Sequence, residues 1–192
     1  MDTVSQVQSE HSRRPIGLVV LLLTTIVGLG LDLWTKHLSI TFFSPTDLAG
    51  LSPAEIAGRQ SEIAFIPGYL HFTYVQNHGA VFGIGQGGRW IFVLVSFAAI
   101  AFVSYLYVKS PKRWWYDLTL GMLLAGILGN LYDRIFIGHV RDMIHALPRW
   151  PNLFPWIFNV ADSLLCVSIG ILLIAGFFLS DEAKSERKSS RN

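Results

Sequence analysis

Six polar residues, Asn130, Asp133, Arg134, Asp142, Asn159 and Asp162, fall between positions 129 and 163. That stretch starts near the end of one long apolar segment and finishes inside the next. A charge at the centre of a bilayer costs at least ~2.5–3.5 kcal/mol, so ionisable residues in such places are functional candidates by default. Asp142 and Asp162 form the pair with the clearest chemistry. Asp142 lies just beyond the third apolar segment and Asp162 about two turns into the fourth, and the connection 138–155 turns the chain back so that the two can meet. Two carboxylates at close range in a low dielectric cannot both ionise comfortably, so one holds a proton while the other stays charged. Such a pair takes a proton from a water as it attacks an amide carbonyl and gives one to the leaving nitrogen. It titrates as a unit, which leaves the resting place of the proton open.

The other polar residues carry two readings each. Asp32 and Lys36 are four apart on one helix face: either an interfacial ion pair with Lys36 snorkelling to the headgroups, or an anchor for the other polar residues of the site. Asp133 and Arg134 are either a structural ion pair or part of the site, and the planar guanidinium of Arg134 also suits a lipid phosphate. Asn130 and Asn159 are expected to satisfy backbone or carboxylate groups. A Ser-His-Asp arrangement would need Ser163, next to Asp162, and one of the loop histidines His139 and His145. There is no His-Glu-x-x-His pair, and His71 and His78 have no third ligand at a useful spacing, so no metal site is expected. Cys166, flanked by Leu164, Leu165 and Val167, reads as a small buried hydrophobe.

The elements that must position these residues are membrane spans. Of 192 residues 52% are hydrophobic and only 15% charged, which suits a chain solvated by lipid. A net charge of +2 is too small and too scattered to suggest nucleic acid as a partner, and none is expected. Four spans are expected at 16–35, 90–108, 118–137 and 156–179. A polar extension, 1–15, precedes them and a mixed-charge, frayed tail, 180–192, follows. The first span is retained, because Asp32, Trp34 and Lys36 follow it where a cleavage site would need small residues. Gly121, Ala125 and Gly129 repeat every four positions in the third, a face smooth enough for close helix approach.

The segment 40–85 lies outside the spans. Two hydroxyl-Pro-x-acid helix starts stand at 44–47 and 52–55. From position 66 to Asn77, Leu70, Phe72 and Tyr74 alternate with His71, Thr73 and Val75, which predicts a strand, then a turn at 76–79 and a second short run at 80–84. Arg13, Arg14, Lys109, Lys112, Arg113, Lys184, Arg187, Lys188 and Arg191 all fall on one side of a four-span arrangement, so that side, with both termini, is expected to be cytoplasmic. The fold class is a membrane all-α bundle of four transmembrane helices with a small extracytoplasmic β-sheet. A proton-coupled transporter would spread its charges through the membrane depth, whereas Asp32, Asp133, Asp142 and Asp162 gather at one side. A non-enzymatic scaffold would need no paired aspartates.

Five motifs, in order along the chain, carry a resemblance: Asp32-Leu-Trp-Thr-Lys36, Asn77-His-Gly-Ala-Val-Phe82, Gly129-Asn-Leu-Tyr-Asp-Arg134, Gly138-His-Val-Arg-Asp142 and Phe158-Asn-Val-Ala-Asp162. Over 17–179 the chain resembles the lipoprotein signal peptidase (signal peptidase II) family of bacterial membrane-embedded aspartic endopeptidases. The resemblance implies that Asp142 and Asp162 are the catalytic aspartates, with Asp32, Lys36, Asn130, Asp133, Arg134, Asn159 and Ala161 supporting the site and Asn77 and Gly79 lining the substrate. It implies cleavage of prolipoproteins before a diacylglyceryl-modified cysteine, no metal or organic cofactor, and lipid-modified prolipoproteins and membrane lipids as partners of a monomer. Two features depart from the family's pattern. Arg141 stands where a small apolar residue is usual, expected either to favour ionised Asp142 or to meet lipid headgroups. The loop 43–62 and the amino-terminal extension are also longer than usual.

Overall fold

The computed structural model describes residues 2–43, 62–79, 88–109, 113–153 and 156–189. The expected helix starts at 44–47 and 52–55 and the run at 80–84 lie outside them. In chain order the elements are α1 (Asp2–Phe43), β1 (Ile63–Ile66), β2 (Leu70–Asn77), α2 (Arg89–Val108), α3 (Trp114–Tyr132), β3 (Val140–Ala146), β4 (Ile157–Phe158) and α4 (Val160–Ser189). A five-residue π-helical turn, Asp133–Ile137, extends α3. Four stretches are long and apolar enough to cross a membrane: Ile16–Phe42, Arg89–Val108, Trp114–Ile137 and Val160–Phe177. Four boundaries correct the expectation: the first span runs on to Phe42 and not 35, the third starts at Trp114 and not 118, and the other two lie in α4. The fourth span starts at Val160 and not at 156, because Ile157 and Phe158 pair with His145 and Ile144 in a sheet, which leaves Asp162 in the first turn of its helix. The tail expected to fray continues α4 to Ser189; from 180 onward it holds no glycine or proline to stop the helix.

α3 is the centre of the bundle, with eleven buried residues against two in α2. Helices in lipid gain little from the hydrophobic effect and associate by close packing and polar contacts, and the small residues of α3 supply the closeness. A Cβ on Gly121 would lie 2.7 Å from the Leu21 carbonyl of α1, and one on Gly126 would lie 2.6 Å from the Ala161 carbonyl of α4. Thr25 uses the same approach, donating to the Gly121 carbonyl at 3.2 Å and to Leu21 at 2.8 Å. Leu21, Val103, Leu120, Leu123 and Ile127 form the apolar core. Large apolar side chains such as Ile26, Leu94, Phe102 and Leu173 face outward, as lipid contact requires.

The four strands form one antiparallel sheet in the order β1-β2-β3-β4. β2 meets β3 with Phe72 opposite Ile144 and Val75 opposite Asp142, so β2 holds one extra residue between these pairs. This bulge shifts the alternation of side chains. Gly138, at φ 95°, makes the left-handed turn that returns the chain from α3 into β3, and its N–H bonds the Asp133 carbonyl at 2.8 Å.

Candidate active site

At the sheet end of the bundle, α1 contributes an ion pair with no solvent exposure. Lys36 Nζ lies 2.7 Å from Asp32 Oδ2 and 3.2 Å from Asp133 Oδ2. It also donates to Asn130 Oδ1 at 3.1 Å and to the Gly129 carbonyl at 3.3 Å. The snorkelling reading of Lys36 therefore gives way to the anchor reading: an ammonium with this many fixed acceptors has no need of the headgroups. Asp133 is fully buried as well and receives Arg141 through Nε at 3.1 Å, Nη2 at 2.6 Å and the backbone N–H at 3.0 Å.

One expected pairing is overturned here, and another cation bonds a different acid from its sequence neighbour. Asp133 pairs with Lys36 and Arg141, not with Arg134, since consecutive residues of a helix point about 100° apart. Arg134 instead donates to the Asn130 and Gly79 carbonyls, each at 3.3 Å, and stacks over Phe92 with its guanidinium carbon 5.1 Å from the ring centre. Arg141 contacts neither Asp142 nor lipid headgroups. Adjacent strand residues face opposite ways, and its guanidinium is buried against Asp133.

Asp142 and Asp162 are held by amides. Asp142 Oδ1 accepts from Asn159 Nδ2 at 2.7 Å and Oδ2 from Asn77 Nδ2 at 3.0 Å. Asp162 Oδ1 accepts from Asn130 Nδ2 at 2.7 Å and Oδ2 from the Asn159 backbone N–H at 3.2 Å. Asn159 is the N-cap of α4: its Oδ1 accepts from the Asp162 N–H at 2.9 Å while the Asp162 carboxylate reaches back, a reciprocal capping box. The Ala161 N–H, in the same first turn, donates to Asp32 Oδ1 at 2.8 Å. Lys36 can only donate, which fixes the Asn130 oxygen toward it and the Asn130 amino group toward Asp162. The Asn159 amino group also bonds Asn130 Oδ1, at 3.2 Å, so one amide chain runs from Asp142 through Asn159 and Asn130 to Asp162.

Burial is the first cause that pushes the Asp142 carboxyl up, to about 7, and the charge of Asp162 adds to it. The bonds from Asn77 and Asn159 and the charge of Lys36 oppose the rise. Asp32, Asp133, Lys36 and Arg141 cancel as two anions and two cations. Gly79, buried, donates its N–H to Asn77 Oδ1 at 3.0 Å and so orients the Asn77 amide.

The remaining sequence candidates sit elsewhere. Ser163 donates its hydroxyl to the Asn159 carbonyl at 3.1 Å, His139 meets the Tyr74 hydroxyl at 3.3 Å, and His145 meets Glu62 at 2.7 Å, so no Ser-His-Asp arrangement is assembled among the described residues. His71 also meets Glu62, at 3.0 Å, while His78 packs on His139, so the two belong to separate clusters. Cys166 is exposed on α4, against the expectation of burial; an apolar sequence neighbourhood does not separate a lipid-facing position from a core one.

Residues 24–178 match the family described as signal peptidase (SPase) II. The chain belongs to the signal peptidase II family. It is 40% identical over 128 residues to a lipoprotein signal peptidase of Desulfitobacterium hafniense (strain DSM 10664 / DCB-2), covering 66% of this chain and 80% of that protein. It is 34% identical over 176 residues to the lipoprotein signal peptidase of Enterococcus faecalis (strain ATCC 700802 / V583), covering 91% and 98%. A bacterial membrane enzyme solved in meso at 2.3 Å shares the fold, with TM-score 0.66 and 24% identity over 89% of this chain and 92% of that one. As a signal peptidase II the chain is a multi-pass protein of the bacterial inner membrane and an aspartic peptidase that cleaves lipoprotein signal peptides.

Proposed function

We propose that Asp142 and Asp162 are the catalytic pair. The observation that carries this reading is the amide chain that holds both carboxylates, with no cation in direct contact among the described residues and with Asp142 raised to about 7. Near neutral pH the pair shares one proton. The ionised member takes a proton from water as the water oxygen attacks the scissile carbonyl, and the proton held by the other passes to the carbonyl oxygen. Collapse breaks the C–N bond as one hydroxyl of the tetrahedral intermediate returns its proton to the carboxylate that supplied it, and the proton gained from water goes to the leaving nitrogen. Asn77 and Gly79 line the substrate side, while Asn130 and Asn159 keep the carboxylates in place.

The substrate is a prolipoprotein whose cysteine already carries a diacylglyceryl group, cut on the amino side of that cysteine by a monomer. Its signal helix and acyl chains enter laterally from lipid. The basic residues that the order of four spans assigns to one side of the membrane support cytoplasmic termini and a dyad near the outer face.

The test is cleavage of a purified diacylglyceryl-modified prolipoprotein by detergent-solubilised enzyme, comparing wild type, with and without a chelator, against Asp142→Asn and Asp162→Asn. Each variant should bind substrate yet lose at least ~10²-fold in turnover, the scale of a positioned acid or base. A folded variant that turns over near the wild-type rate would show that the wrong acid has been named.

A further inference from the structure

Arg141 is a buried cation next in sequence to a proposed catalytic acid and facing away from it. Its guanidinium takes both of its bonds on one oxygen of Asp133, Oδ1, leaving Oδ2 to the Arg141 N–H and Lys36. Asp133 therefore draws on only part of Lys36. The rest of that ammonium serves Asp32, the Gly129 carbonyl and the Asn130 oxygen, and the Asn130 amino group holds Asp162.

We propose that Arg141 is a positioning residue for the peptidase reaction: by neutralising Asp133 it frees Lys36 to orient Asn130, and it keeps the charge cluster beside the two acids at zero. This rests on the catalytic assignment of Asp142 and Asp162. Without the guanidinium, Lys36 is the sole counterion of Asp32 and Asp133, and a buried net negative charge stands beside the pair. Two effects follow. Lys36 is drawn toward Asp133 and away from Asn130, which loosens Asp162. The added negative charge makes the pair hold its proton to higher pH.

The charged groups that act on Asp142 are Asp162 from α4, Lys36 from α1 and Arg134 from the end of α3; behind them Lys36 meets Asp32 and Asp133, and His139 and Tyr74 stand near Asp133 and Arg141, with His78 against His139. Among these Lys36, Asp32 and Asp133 are the ones whose balance Arg141 sets directly.

The experiment is the pH profile of kcat/KM for lipidated prolipoprotein cleavage by wild type, Arg141→Met, Arg141→Lys and the double variant Asp133→Asn, Arg141→Met. Arg141→Met should shift the alkaline limb upward by about one pH unit, the size of one uncompensated charge at this range. Its kcat should fall roughly tenfold with KM unchanged, because Arg141 touches no substrate. Arg141→Lys should keep the limb in place while losing part of kcat, since lysine retains the charge but not the two-point grip. The double variant, again neutral, should return the limb to its wild-type position, and it keeps the test open if the single methionine variant fails to fold. An Arg141→Met limb that superimposes on wild type, or a double variant whose limb stays displaced, would overturn the proposal while leaving the dyad intact. Turnover by Asp142→Asn or Asp162→Asn in the same assay would instead defeat the dyad assignment, and this inference with it.

Discussion

Asp32 and Asp133 meet an ammonium and a guanidinium, whereas Asp142 and Asp162, one contact away, are hydrogen-bonded among the described residues by amides alone. The residue type is the same and Asp142 is buried like Asp32 and Asp133, so the difference lies in the partners. A carboxylate gripped by cations is one half of a charge balance, and a proton traded there would leave a bare positive charge behind. One gripped by neutral amides keeps its place in either protonation state. The cation-bound pair thus serves as framework, and the amide-bound pair is left able to do acid–base work.

Three measurements would break or sharpen this contrast. The largest effect is expected from Lys36→Met, which leaves Asp32 and Asp133 with one guanidinium between them. Removing one member of a buried ion cluster costs about 3–5 kcal/mol, so the variant should unfold far earlier in detergent. A stability within ~1 kcal/mol of wild type would show that Asp32 and Asp133 are no more dependent on charge than Asp142 and Asp162.

Next comes pH. With Asp142 raised from 3.8 to about 7, wild-type kcat/KM should fall about tenfold per unit above about pH 7 as the shared proton is lost. Stability should move in the same direction. The contribution of protonated Asp142 is complete below about 3.8 and is lost as pH rises through about 7. Thermal unfolding of Asp142→Asn should therefore be flatter than wild type between about pH 5 and 8, and an equally steep fall would place the titrating group elsewhere.

The smallest effect belongs to Asn77→Ala. Its bond to Asp142 Oδ2 favours the charged form, so its loss should move the alkaline limb up by roughly half a unit and lower turnover a few-fold. A downward shift would mean that the amide stabilises the protonated acid.

The chain's pattern makes α2 legible almost to the residue, because an unbroken apolar run has one reading in a membrane protein. β2 is legible from its alternation as far as Thr73. Beyond the bulge the alternation is out of step by one residue, and it is in this shifted register that Asn77 reaches Asp142. β3 escapes such a reading because Val140, Arg141, Asp142 and Met143 are all buried in succession, and a strand covered on both faces has no period to read. β4 is two apolar residues abutting a span, which the hydropathy of the span absorbs. The acids of the site are visible as types at the edges of apolar segments. Their partners are not: nothing in the spacing tells that Lys36 meets Asn130 across 94 positions, or which carboxylate Arg141 faces.

The bond between Asp32 and the Ala161 N–H joins the first helix to the last across 129 positions, and this bears on the order in which the protein is made. Asp32 and Lys36 enter the bilayer early as a self-neutralising pair one turn apart, which eases insertion of the first helix. Asp162 arrives only with the last helix, and until then Asp142 has neither its partner acid nor the Asn159 amide. On the proposed pairing, a ribosome-bound chain that has not yet delivered α4 lacks one of the two acids and the amide that holds the other, and is not yet a protease.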